Sequence, residues 1–211
     1  FAAMDKADRT TVQVAVVVLV IAGIQMLLPD AITIGPRWMI PAIEVIGVPM
    51  ALRIMQFSHT APKTVRRAMT SYLFLLVMIS VLNATLLFIS MMRGDEDSGG
   101  QLLLGGFGVL IINVLSFGIV YWWIDGGGPH TREDATSCEG WDFQFPQQAS
   151  GMTWKPQLPD YLFTAYTNII AFSPTDTMPL SHRAKFLFTV QSAVSLVTIL
   201  VTVSRAINLI S

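Results

Sequence analysis

Charge is scarce in this 211-residue chain: 13% of residues are Asp, Glu, Lys or Arg, against 53% that are hydrophobic. A soluble domain carries about a quarter charged residues to keep its surface in water. That poverty, with a mean hydropathy of +0.58, excludes the ordinary soluble class and implies an integral membrane protein. Thirteen Lys and Arg stand against 14 Asp and Glu, a net charge of −1, so no basic field exists to draw nucleic acid. Cysteine is nearly absent, and the lone Cys138 excludes an intrachain disulfide and, with no Cys/His cluster at ligand spacing, a zinc site. His59, His130 and His182 are scattered over loops and a helix start, so no metal site is expected from them. No Ser-His-Asp set, paired carboxylates or phosphate-cradling loop stands out; "DGGGP" at 125–129 reads as preceding a loop rather than opening a helix. Neither enzymatic activity nor a cofactor is expected.

What the chain does have is long apolar runs. Residues 11–28, "TVQVAVVVLVIAGIQMLL", are long enough at about 1.5 Å per residue to cross a hydrocarbon layer of roughly 30 Å. A Pro- and Gly-bearing turn follows, with Arg37-Trp38 as an interface anchor. Residues 39–57 form a second span, expected to kink because Pro41 and Pro49 each remove a backbone donor, and it carries Glu44 and Arg53 toward the lipid. The basic loop 58–68 leads to a third span at 69–92, and an acidic turn leads to a fourth at 101–124 that ends in "YWWID". Residues 125–159 are polar and rich in Gly and Pro, which predicts a water-exposed loop. Asp160 suits the N-cap of a short helix over 161–172, and Ser181 that of a last span over 182–209. No repeat of fixed period is present, so residues 1–211 read as one membrane domain. Because the chain opens on Phe1 rather than Met, an N-terminal piece is expected to precede it.

The short helix cannot span comfortably. Pro174 lacks the N–H to continue it and pushes Ser173 from helical angles, so it should stop near Ser173. If residues 160–180 dip in and return, one face holds Lys6, Arg9, Arg53, Lys63, Arg66, Arg67, Arg132, Lys155, Arg183 and Lys185, and the other holds Arg37, Arg93 and Arg205. Ten against three places the first face in the cytoplasm; a full crossing would leave nine against four. The fold class is thus an all-α integral membrane protein with about five transmembrane helices plus a short re-entrant helix before the last. The expected location is a plasma membrane, crossed several times.

A short helix, a non-helical return and a long helix make the pattern of a pore loop. The C-terminal third resembles the pore region of potassium channels: Thr164 and Thr167 on the short helix, Asp176 with Pro179 three residues on, then an inner-type helix ending in "VTVSRAINLI". It departs at the filter, where "AFSPTD" has none of the glycines that let successive carbonyls face one axis; potassium selectivity is not implied. The charge count also puts the loop on the cytoplasmic face, as in the inverted pore loops of glutamate-receptor channels. Over nearly its whole length the chain resembles a family of uncharacterised bacterial polytopic membrane proteins, through "LPDAITIGPRWMIPAIE", "YWWIDGGGP", "DFQFPQ" and "AFSPTDTMPLSHRAK".

Gln191, Ser195, Thr198, Thr202 and Arg205 are spaced 4, 3, 4 and 3 and share one helix face. Such a stripe suits a hydrated pore in an oligomer. It equally suits packing, in which hydroxyls and amides bond between helices at about 0.6 to 2 kcal/mol per contact. Glu44 is expected either to pair with Arg205 or to cap a backbone break near Pro41 or Pro49. Two functions are therefore in view. One is a channel-like homo-oligomer passing small cations, with Thr164, Thr167, Asn168, Ser173, Thr175 and Asp176 at its narrow part and Gln191, Ser195, Thr198 and Thr202 below. The other is a non-conducting accessory subunit of a larger membrane complex.

Overall fold

The computed structural model describes residues 6–33, 35–56, 63–93, 99–150, 154–170 and 177–210. Helix α1 (Lys6–Leu27) is followed by a 3-10 turn at Asp30–Ile32, then α2 (Met39–Gln56), α3 (Lys63–Arg93) and α4 (Gly99–Ile124). A second 3-10 turn at Asp125–Gly127 leads to α5 (Pro129–Asp134), β1 (Phe143–Gln144), α6 (Pro146–Ala149), α7 (Leu158–Ile170), β2 (Met178–Pro179) and α8 (His182–Ile210). Three helical stretches, Arg66–Arg93, Leu103–Gly127 and His182–Ser204, are long and apolar enough to cross a membrane; Val12–Leu27 and Met39–Pro49 are shorter apolar helices. The protein is a membrane protein on this ground. Leu19, Phe74, Phe107 and Leu200, all exposed, lie on the surface that a bilayer would cover.

Helix α4 is the hub. It packs on α3, α7, α8 and α1, while α2 packs mainly on α1. Glycine permits the closest of these approaches. A Cβ on Gly118 would lie 2.6 Å from Leu162 Cδ2 and 3.1 Å from Leu162 Cα, so only a residue without a side chain lets α7 seat on α4. Gly106 plays the same part toward Thr202 of α8.

Several elements differ from expectation. Helix α3 begins at Lys63, six residues early, because the basic residues of "KTVRRA" are good helix formers and continue the apolar span beneath them. The stretch after α4, expected to be a water-exposed loop, folds into a cap. Trp141, Phe143 and Phe145 recur every second residue and are all buried. Phe143 lies 5.3 Å from the Tyr121 ring and 5.6 Å from Phe188; Phe145 lies 5.2 Å from Tyr161. These rings close the end of the bundle where α4, α7 and α8 meet. The chain enters the cap through Gly126, Gly127 and Gly128, whose φ angles of 54°, 84° and 110° explain three glycines in a row. Contrary to expectation, "DGGGP" does open a helix: Pro129 begins the six-residue α5.

Helix α7 starts at Leu158, not at 161. Asp160 is not the N-cap; its carboxylate reaches back to the Gln157 N–H at 2.7 Å, the returning half of a capping box. Past Ile170, residues 171–176, and with them the Ser173-Pro174 break, lie outside the described residues. At Thr177 the chain is beside Thr164, hydroxyl to hydroxyl at 3.0 Å. Strand β2 then pairs antiparallel with β1, Phe143 opposite Pro179, and the Leu180 N–H donates to the Asp142 carbonyl at 2.7 Å. Ser181 caps α8, its hydroxyl accepting from the Ala184 N–H at 3.2 Å. The starts of α7 and α8 therefore stand on one layer, the cap.

Candidate functional site

Between α4, α7 and α8 lies a ladder of buried polar groups. Gln191 of α8 is fully buried, and its Oε1 accepts from the Tyr121 hydroxyl at 2.7 Å and from Asn168 Nδ2 at 2.8 Å. Its Nε2 donates to the Ala165 carbonyl at 3.1 Å. Asn168 Nδ2 also reaches the Phe188 carbonyl at 3.2 Å, and its Oδ1 accepts from Ser192 at 3.0 Å. Farther along α8, the Ser195 hydroxyl faces Asn113 of α4 at 3.4 Å, Thr198 bonds back to the Val194 carbonyl at 2.8 Å, and Thr202 packs over Gly106. Gln191, Ser195, Thr198 and Thr202 of the stripe read from the spacing are thus buried inside the chain. On α7, Thr164 donates to the Asp160 carbonyl at 2.9 Å, and Thr167 to the Thr164 carbonyl at 3.0 Å. Ser173, Thr175 and Asp176 fall outside the described residues.

Beneath the ladder the cap is built on Asp125, a residue the sequence reading did not single out. It is fully buried. One oxygen accepts from the Asp142 N–H at 2.7 Å and the Phe143 N–H at 3.1 Å, and the other takes the Tyr161 hydroxyl. Arg132 donates to the Trp122 and Asp125 carbonyls at 2.7 and 2.5 Å, with its guanidinium 5.2 Å from the Tyr161 ring centre. The first of these carbonyls belongs to the last turn of α4, and the second also accepts from the Gly128 N–H at 2.9 Å. Asp142 in turn accepts from Arg183 at 2.6 and 2.5 Å and from Ser181 at 2.5 Å, tying β1 to the first turn of α8. A carboxylate closing an apolar run before three glycines, and another between Trp141 and Phe143, are the sequence signals that could have found them.

Glu44 is 1% exposed in α2. Its Oε1 accepts from Gln25 Nε2 of α1 at 2.8 Å, and its backbone carbonyl accepts from the Tyr72 hydroxyl at 2.8 Å. The first partner of Glu44 is therefore an amide; the Arg205 side chain lies outside the described residues. The ion pairs seen are Arg183–Asp142 and, in the turn before α2, Arg37–Asp30. The Arg37 guanidinium hydrogen-bonded to Asp30 holds that carboxyl below its ordinary value. Among the described residues no cluster of His, Cys, Asp and Glu could hold a metal ion. A scan against protein-family models finds no match, and searches of curated proteins and of solved structures find no significant similarity.

Proposed function

We propose that the chain is a channel-like subunit of a homo-oligomer in a bacterial inner membrane. In this reading α1, α2, α3, α4 and α8 cross the bilayer and α7 enters and returns. One observation carries the reading: α7 and α8 start from the same cap, with Thr177 back beside Thr164 only seven residues after Ile170. A 13-residue helix reaches about 20 Å, short of the roughly 30 Å core. Seven extended residues can cover about 24 Å, ample for the return. Ser173, Thr175 and Asp176, which follow α7 in the chain, are the proposed contacts that replace the hydration shell of a small cation.

Of the two parts its spacing allowed, the polar stripe takes that of packing in this reading. Gln191, Ser195, Thr198 and Thr202 serve as glue that fixes α8 to α4 and α7, so the narrow part rests on the segment after α7 alone. The pairing of Gln191 and Ser195 inside the chain favours a second reading, a non-conducting accessory subunit that borrows the same module as a rigid contact. Planar-bilayer recording of purified, oligomeric protein separates the two. Cation currents that weaken in Asp176→Asn support the first reading; silence from folded wild type establishes the second.

A further inference from the structure

The α1–α2 pair buries a carboxyl that the proposed ion route does not use. Glu44 is 1% exposed, Gln25 is 3% exposed, and one hydrogen bond of 2.8 Å joins them, Gln25 Nε2 donating to Glu44 Oε1. Among the described residues, two atoms of this same pair have no partner, Glu44 Oε2 and Gln25 Oε1. An ionised carboxylate only accepts hydrogen bonds. With Glu44 charged, both orphans are acceptors and neither can serve the other; each stranded polar atom, and a buried unpaired charge above all, is costly. A carboxylic acid and a primary amide are complementary instead. The amide N–H bonds the acid's carbonyl oxygen, and the acid's O–H bonds the amide's. A single proton on Oε2 satisfies both atoms.

Among the described residues, the charged and titratable groups nearby do not offer another remedy. From α3 comes Tyr72, whose hydroxyl is already given to the Glu44 carbonyl. The turn before α2 brings Arg37 and Asp30, which are bound to each other. We propose that Glu44 and Gln25 form a buried proton-binding site, in which Glu44 is held as the neutral acid and donates its proton to Gln25 Oε1. Loading takes one proton from the aqueous phase and forms one O–H bond; no other bond changes. A divalent metal ion fits poorly, because Ca²⁺ seeks about six to eight oxygens and the pair offers two free ones.

The structure also supplies an approach. A cavity of about 10 Å³ is lined by Gln25, Thr33, Arg37, Ile40, Pro41 and Asn83, the lower limit for one water. Asn83 is 1% exposed and its Nδ2 has no partner among the described residues. A water placed there would accept that N–H and stand between the Gln25 amide and the exposed Arg37 end.

Infrared difference spectroscopy of the full chain in liposomes, stepped between acid and alkaline pH, tests the site. Wild type is expected to show at neutral pH the carbonyl band of a protonated carboxyl. Glu44→Gln should abolish it while keeping a two-bond amide pair and wild-type helix content. Gln25→Leu should shift it to higher frequency, as a carboxyl does on losing its acceptor, and Asn83→Leu should slow its appearance after a pH jump. Absence of the band from folded wild type at neutral pH, or its survival in Glu44→Gln, overturns the proposal. Neither outcome depends on whether the protein conducts.

Discussion

Replacing Asp125 with alanine should detach the cap from the bundle, and the cost can be worked from its hydrogen bonds. The carboxylate serves three donors, the N–H groups of Asp142 and Phe143 at 2.7 and 3.1 Å and the hydroxyl of Tyr161. Asp142, Phe143 and Tyr161 are each at most 1% exposed, so water cannot replace the lost acceptor without opening the cap. At about 1–3 kcal/mol for each donor left unsatisfied, and less than full additivity, Asp125→Ala should cost about 3–6 kcal/mol. That is a large share of the roughly 5–15 kcal/mol a domain has in hand. By the scaling of domains this size it corresponds to a fall in Tm of about 6–24 °C. Asp125→Asn is the internal control: its carbonyl oxygen can keep both backbone N–H groups and its amide can meet the tyrosine oxygen, so about 1–2 kcal/mol is expected. Thermal unfolding in detergent, followed by circular dichroism and by limited proteolysis at the exposed stretch 136–140, gives the comparison. If Asp125→Ala melts with wild type, or if the two variants melt together, the donors have found water and the dry-cap reasoning fails.

Gly118→Ala should cost about 1–3 kcal/mol by overpacking against Leu162, whereas Gly23→Ala, with nothing within 4 Å of its Cβ, should be neutral or gain up to about 1 kcal/mol of helix propensity; unfolding midpoints measure both. Gln191→Leu strands the Tyr121 hydroxyl and should cost about 1–3 kcal/mol, yet leave the current per folded oligomer unchanged, since the residue acts as glue; a changed current would return the stripe to the pore. The Asp30 carboxyl, held low by Arg37, should titrate below the ordinary carboxylate range in carbon NMR and move back up in Arg37→Ala. Because its folded value is depressed, the tie is present at neutral pH and is lost as pH falls through that value.

How far the site was legible follows the range of the forces that build it. Gln191, Ser195, Thr198 and Thr202 could be placed on one face from spacing alone, because helical period is local. What that face meets could not, since Tyr121 and Asn113 are brought to it from 70 and 82 residues away. Glu44 was identifiable as an anomaly by its charge within an apolar run, but its partner Gln25, 19 residues back, is chosen by how α1 and α2 pack. Asp125 escaped notice because its donors come from 17, 18 and 36 residues on.

By itself the sequence determined the long apolar helices and the membrane class. Helix α8 spans Ser181's cap to Ile210 and α4 runs Gly99–Ile124, each within two residues of expectation, because an apolar run long enough to span lipid has to satisfy its backbone internally. Only the tertiary structure decided that the stretch after α4 is a folded cap and that the stripe turns inward. Trp141, Phe143 and Phe145 have nothing to bury against until the ends of α4, α7 and α8 converge, and a polar face in lipid turns to whichever donors and acceptors the packing brings within reach.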